Sequence, residues 1–303
     1  MVNTISTLFK WYIPNSDILG VIYMKVIGVG DNVVDKYVYK KTMYPGGNAL
    51  NFSVYAKQLG IEAAYLGVFG NDRAAEHIIA TLKNLVVDIS HCRQYEGENG
   101  FAAVDLVDGD RVFIGGNGGG VQMEHPIFLS LEDLEYIKSF DIAHSSIYSE
   151  MDSELHKLKE SGILVSYDFS SDYNEELLAK NCPHIDISLL SCGQLADEEV
   201  ENLLKRVYSY GSKLVLGTMG SRGSIVYDGQ SFYRQEPHFV QPVDTLGAGD
   251  SFFTAFILHY LAGKKENPEI QEAILLKNSM EEGAKFAAKT CLVDGAFGYG
   301  IPF

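Results

Sequence analysis

VDTLGAGDSFFTAF, residues 243–256, decides how this 303-residue chain is read. Three small residues, Gly247, Ala248 and Gly249, stand between Asp244 and Asp250 at what the spacing marks as a helix start. A glycine-rich turn entering a helix leaves backbone N–H groups without partners and puts the positive end of the helix dipole beside them. Such a turn suits a phosphate or a developing anion. Asp250 falls in the first turn, where a carboxylate can accept the proton of a hydroxyl held nearby. The alternative is a capped helix whose glycines only allow close packing. That alternative suits a lone G-A-G better than the whole D-T-L-G-A-G-D.

Working outward, short apolar runs alternate with helical patterns, the signature of βαβ units and a mainly parallel sheet. The candidate strands are KVIGVG (25–30), AAYLGVFG (63–70), DIAHSS (141–146), ILVSYDFS (163–170), IDISLL (185–190) and KLVLGT (213–218). Helices are expected over 49–60, 72–85 and 196–211. Two stretches switch to period-2 alternation, NVVDKYVYKKTMY (32–44) and GFAAVDLVDGDRVFIGG (100–116), the second with Asp108-Gly109 as a hairpin turn. They read as a small antiparallel lid, drawn from about 32–44 and 90–116, over the carboxyl edge of the sheet, where open α/β folds bind ligands. A third hairpin pattern, residues 223–235 with Asp228-Gly229 at its turn, extends the sheet antiparallel.

Other stretches carry chemistry at that edge. PGGNALN, residues 45–51, opens a helix, with Gly46 and Gly47 permitting close backbone approach to a ligand and Asn48 and Asn51 supplying donors and acceptors. An N-cap role for Asn48 is the plain reading beside it. Asp31 ends the first strand and either binds sugar hydroxyls under the lid or is an ordinary strand-end turn residue. TMGSRG, residues 218–223, leaves a strand into a turn where Thr218, Gly220 and Gly223 either shape a nucleotide-phosphate loop or simply turn the chain.

Composition narrows the class. The chain is 46% hydrophobic and 21% charged, an ordinary globular balance. A net charge of −16 argues against nucleic acid or an anionic membrane as partner. No apolar run reaches the length of a membrane span. Four scattered cysteines form neither a zinc motif nor a disulfide framework, so a reducing cytoplasm fits best. Residues 1–23 lack the design of a secretory signal, and Met24 opens the first strand, so 1–23 is expected to be an extension ahead of a domain spanning 24–303. G-V-G-D-N-V does not complete a dinucleotide fingerprint, and no P-loop motif occurs.

With D-T-L-G-A-G-D-S-F, G-D-N at the first strand, G-G-N-A-L-N and V-L-G-T-M-G-S-R-G in this order, the sequence resembles the ribokinase-like, PfkB-type family of carbohydrate kinases from about Met24 onward. The resemblance implies an α/β fold with a mostly parallel central sheet, flanking helices and a β lid that often serves as a homodimer interface. It implies ATP and Mg²⁺, with a monovalent cation in some members, and a sugar acceptor. Carried onto this chain, Asp250 is the base and Gly247, Ala248 and Gly249 form the anion hole. Asp31, Gly46, Gly47, Asn48 and Asn51 hold the sugar, with Arg111 of the lid turn either reaching the substrate or facing solvent. Thr218, Gly220, Gly223, Asp244 and Thr245 approach the nucleotide. One departure stands out. The N-x-x-E element that many members associate with magnesium is here Ser191-Cys192-Gly193-Gln194, without the acid. Water and nucleotide then hold the metal, or Asp197 or Glu198 substitutes, or catalysis is lost and the chain is a sensor.

Within the family, GGNALNFSVYAKQLG, DGDRVF and the S-x-x-Q departure resemble the bacterial fructosamine kinases, the fructoselysine 6-kinases among them. The implied acceptor is a primary hydroxyl of a ketose or ketose-amine. Kinases for fructose, ribose, 2-keto-3-deoxygluconate or a nucleoside are the alternatives of the same fold, and a dehydrogenase is the alternative outside it.

Overall fold

The computed structural model describes residues 23–107 and 110–303. The extension expected over 1–23 lies outside the described residues except for Tyr23, as does the Asp108-Gly109 turn. In chain order the first half forms β1 (Lys25–Gly30), β2 (Val33–Tyr37), β3 (Thr42–Gly46), α1 (Asn48–Gln58), β4 (Glu62–Phe69), α2 (Arg73–Asn84), β5 (Arg93–Gln94), β6 (Phe101–Val107), β7 (Asp110–Gly116), α3 (Val121–Glu124) and α4 (Leu131–Ile137). The rest forms β8 (Ile142–Ser146), α5 (Leu155–Ser161), β9 (Leu164–Asp168), α6 (Glu175–Asn181), β10 (Ile187–Ser191), α7 (Asp197–Ser209), β11 (Leu214–Thr218), β12 (Ser224–Tyr227), β13 (Phe232–Gln235), α8 (Ala248–Glu266), α9 (Glu272–Thr290) and β14 (Ile301–Pro302).

Nine strands make the central sheet in the order β13-β12-β11-β10-β9-β8-β1-β4-β5. All its pairings are parallel except those of the β12–β13 hairpin, which extends one edge antiparallel as expected. Successive residues face opposite sides. Val26, Ala63, Tyr65, Leu189 and Leu216 pack into a core beneath α1, α2, α8 and α9, while Ile27, Ala64, Leu66, Leu190 and Val215 pack into a second core against α5, α6 and α7. Strands buried on both faces account for the near-continuous apolar runs in the sequence. From β1 the chain goes first to β4 on one side and later to β8 on the other. The carboxyl end of β1 is therefore a switch point of the sheet, the place where open α/β folds bind ligands.

The lid is a five-stranded sheet in the order β14-β3-β2-β6-β7. It departs from the expected antiparallel element in one respect: β2 and β6 run parallel, because β6 returns only after the chain has passed through β4, α2 and β5. The 32–44 stretch folds as two strands around a tight turn, with Lys41 at φ 48°. β14, two residues long, adds a fifth strand that no periodicity marks.

What lets α1 lie against β1 is Gly28. A Cβ there would stand 2.0 Å from the carbonyl oxygen of Ala49, and backbone cannot yield as a flexible side chain can. Gly28→Ala is expected to lower stability by about 1–3 kcal/mol through this overpacking. A denaturant midpoint equal to wild type would refute the tight approach.

Candidate active site

The site is built at the N-terminus of α1. Its N-cap, Gly47, has no side chain to cap with, and the carboxylate of Asp31 takes that role from the end of β1. Asp31 Oδ2 accepts from the Asn48 N–H at 2.6 Å, and Oδ1 accepts from the Ala49 N–H at 3.2 Å. The hydroxyls of Ser146 and Ser149, at 2.8 and 2.7 Å, donate to the same Oδ1. Asp31 is thus a buried anchor that ties three elements together, and only Oδ2 keeps room for a further donor. The two glycines before the helix serve the same approach. A Cβ on Gly46 would stand 2.4 Å from Asp35 Oδ2, and one on Gly47 2.8 Å from Asn32 Cα. On the face where a side chain would stand, both glycines meet the chain itself.

Asn48 does not cap. It is the first residue of α1, and its amide nitrogen donates to Asp168 Oδ2 at 2.7 Å and reaches Asp250 Oδ1 at 3.4 Å. One turn on, Asn51 donates to Asp250 Oδ2 at 2.6 Å, and its side-chain carbonyl oxygen is buried without a partner among the described residues. Two asparagines on one helix face thereby aim the Asp250 carboxylate.

Asp250 stands in the first turn of α8, whose N-cap Gly247 is left-handed at φ 73°. A Cβ at Gly247 would meet the Tyr55 hydroxyl at 2.2 Å, so both conformation and space require glycine. At Gly249 a Cβ would meet nothing within 4 Å, so this residue faces open space. Ala248 N–H makes a long bond of 3.3 Å to the Thr245 carbonyl, while among the described residues the N–H groups of Gly247 and Gly249 have no protein acceptor. A 19-residue helix thus presents free donors and its dipole beside a carboxylate. Asp244 faces inward: its carboxylate accepts from the Tyr37 hydroxyl, the Leu246 N–H and the Gly295 N–H, joining the lid, the turn and the C-terminal segment.

The residue that sequence reading missed is Asp168, at the carboxyl end of β9 and 5% exposed. It ends its strand as Asp31 ends β1, and applying the Asp31 argument to ILVSYDFS would have found it. Burial, then the nearby Asp168 carboxylate, hold Asp250 well above the ordinary carboxylate range. Asp168 is raised as well, chiefly by burial. The two acids therefore resist ionising together.

The second half of the edge is less enclosed. Thr218 ends β11, Gly220 (φ 60°) faces open space, and a Cβ on Gly223 would lie 2.0 Å from the Gln235 carbonyl oxygen. Arg222 donates to the carbonyls of Cys192, Gly193 and Leu195, stapling the departed 191–194 stretch to this loop. Gln194 is exposed. Asp197 is held by Arg222 at 2.6 Å and Arg234 at 3.2 Å, and so is already neutralised. The Arg111 side chain lies outside the described residues.

A buried carboxylate beside free amides at a helix N-terminus, at the switch point of the sheet, is what phosphoryl transfer to a hydroxyl asks for. Comparison with known proteins agrees. The model of the family described as "pfkB family carbohydrate kinase" matches residues 15–290. The chain belongs to this family of carbohydrate kinases. The kinase is 40% identical over 282 residues to fructosamine kinase FrlD of Bacillus subtilis, covering 92% of this chain and 95% of that one. It is 34% identical over 269 residues to fructoselysine 6-kinase of Escherichia coli, covering 89% and 98%. Arabidopsis thaliana ribokinase, solved with ribose and ATP, shares the fold at a TM-score of 0.74 and 21% identity, with 91% and 95% covered. A fructokinase from Vibrio cholerae solved with fructose, ADP and potassium ion gives 0.70 at 22% identity, with 91% and 95% covered.

The raised Asp250 carboxyl has a consequence for stability. The folded kinase keeps a proton there that the unfolded chain releases, so the stability tied to that proton is present below the ordinary carboxylate value and lost as pH rises through the raised one. Asp250→Asn removes the conflict. Its melting temperature should exceed wild type near about pH 8.5, by about 2–4 °C per kcal/mol relieved, with the gap narrowing toward about pH 5. A gap independent of pH would trace the effect to something other than this carboxyl.

Proposed function

We propose that this kinase transfers the γ-phosphoryl group of ATP to a primary hydroxyl of a ketose-amine, a fructosamine such as fructoselysine. The observation that carries the transfer is Asp250, aimed by Asn48 and Asn51 beside the Gly247 and Gly249 N–H groups, which have no protein acceptor among the described residues. The acceptor is supported by the names of the relatives at 40% and 34% identity. Asp250, once it has released the proton it holds in the free kinase, accepts that of the hydroxyl, and its raised affinity for a proton suits it to that task more than an ordinary carboxylate. The Gly247, Ala248 and Gly249 N–H groups face the negative charge of the transferring group. Thr218 and Gly220 line the path of the nucleotide phosphates, and the lid excludes water from the crevice.

Magnesium would accompany ATP and supply positive charge to its phosphates, held mainly by water and phosphate oxygens with one or two carboxylates. A potassium requirement belongs to the same reading, motivated by the ion in the fructokinase structure. A homodimer through the lid is supported by Val112, Phe113 and Ile114 of β7, which are 39%, 57% and 52% exposed. Cytoplasmic residence is supported by the four scattered cysteines, which form no disulfide among the described residues. Among the described residues no helix is long and apolar enough to cross a membrane.

The test is an ADP-release assay with ATP and Mg²⁺, in potassium and in tetramethylammonium, against fructoselysine, other fructosamines, fructose, ribose, 2-keto-3-deoxygluconate and adenosine. Preference for a fructosamine is the expected result. Asp250→Asn should lose about 10²–10⁴-fold in kcat. Gly249→Val should melt like wild type and lose about 10²-fold or more, because its side chain enters the space before the free amides. Preference for another acceptor would correct the substrate, and binding without turnover of any acceptor would favour a sensor.

A further inference from the structure

Two residues that the transfer itself does not use stand at the rim of the site, where the ends of β8 and β9 lie side by side. Tyr148 belongs to a one-turn 3₁₀ segment, Ile147–Ser149, directly after β8. That segment is pinned on both sides of Tyr148: the hydroxyls of Ser146 and Ser149 donate to Asp31, and the Tyr148 N–H donates to the Ser146 hydroxyl at 3.2 Å. Asp172 lies on the loop after β9, which Ser170 anchors by donating its N–H to Asp168 Oδ1 at 2.7 Å. Side chains join the two loops. The Tyr148 hydroxyl donates to Asp172 Oδ2 at 2.8 Å and lies 3.1 Å from Ser170 Oγ. The pair is thereby tied to Asp31 and Asp168, the two carboxylates to which Asn48 bonds while reaching Asp250.

Tyr148 is an aromatic ring held by its polar end and still 44% exposed. Asp172 is exposed too, and the donors it receives, the hydroxyls of Tyr148 and Ser171, are neutral. Among the described residues no lysine, arginine or histidine nitrogen comes within 4.0 Å of its carboxylate. An open ring beside a carboxylate that lacks a cation is the chemistry that recognises an alkylammonium, through attraction to the ring face and a charge-assisted hydrogen bond. The deeper acids bias the site the same way, since Asp31, Asp168 and Asp250 are oriented by amides and hydroxyls that leave their charge uncancelled.

A ketose-amine offers the matching group. Its amine is an alkylamine, charged at neutral pH, and stands at the opposite end of the sugar from the primary hydroxyl. Resting on the acceptor proposed above, we infer that Tyr148 and Asp172 are specificity-determining residues that bind the acceptor's ammonium group and let the kinase favour a ketose-amine over the neutral ketose. They act on a group remote from the reacting hydroxyl, so their contribution falls on KM more than on kcat.

Steady-state kinetics with the full-length kinase, ATP and Mg²⁺ test this on fructoselysine, 1-deoxy-1-methylamino-fructose and fructose, for wild type, Tyr148→Leu, Tyr148→Phe and Asp172→Asn. The methylamino sugar carries the charge without a lysine chain. Fructose is read as KM or, where its turnover is too slow, as an inhibition constant. Tyr148→Leu should raise KM for both amino sugars by about 2- to 30-fold, the range of a cation over an aromatic ring. Asp172→Asn should raise it by about 2- to 5-fold, an effect that shrinks at high salt. Both variants should change kcat, and the value for fructose, by less. Tyr148→Phe keeps the ring and most of the amino-sugar advantage, whereas a role confined to holding Ser170 and Asp172 in place would be lost with the hydroxyl. Equal effects on fructose and the amino sugars overturn the inference and leave the acceptor reading intact. So does a Tyr148→Phe variant as impaired as Tyr148→Leu, or an unchanged KM in both Tyr148→Leu and Asp172→Asn. A wild type that prefers fructose to both amino sugars, or that uses none of the three, overturns the acceptor reading and this inference with it.

Discussion

The carboxylate of Asp31 is the constraint on which the rest depends. It caps α1 in place of an N-cap side chain and gathers Ser146 and Ser149 from the β8 side. That fixes where α1 begins, and hence where Asn48 and Asn51 point. Those two asparagines then set the orientation of Asp250 on a helix almost two hundred residues later in the chain. Gly28, Gly46 and Gly47 serve the same junction by letting backbone approach where any side chain would collide.

The site is held at a cost in charge. Buried acids lie together with no lysine or arginine paired to them among the described residues, and neutral donors from Asn48, Asn51 and Ser170 orient them. In the free kinase burial and the neighbouring carboxylate both favour a retained proton over a second negative charge. Conflict of this kind is usual where a protein gives up stability for function.

Much of this was legible in the sequence because it is local. The glycine turn before Asp250, the paired asparagines of G-G-N-A-L-N and the six core strands each announce themselves within a dozen residues. What was not legible depends on register between distant strands. Asp168 becomes a neighbour of Asp250 only when β9 lies beside β8 and β8 beside β1. Partners brought by tertiary packing were equally out of reach: Asp31 meets the N–H groups of Asn48 and Ala49, Gly46 and Gly47 pack against Asp35 and Asn32, and Asp244 accepts from Tyr37 and Gly295.

The weaving of the lid bears on how the molecule is assembled. Its strands come from three separate stretches, and its outermost pairing joins Met43 to Ile301 across nearly the whole described chain. Pairings of such sequence separation give a high contact order, and the loop-closure entropy they demand must be met before their contacts repay it. The central sheet forms from nearer neighbours. The cover over the crevice is therefore the last part to consolidate during folding and the first to open under mild denaturation, so that catalytic competence lags behind the acquisition of secondary structure.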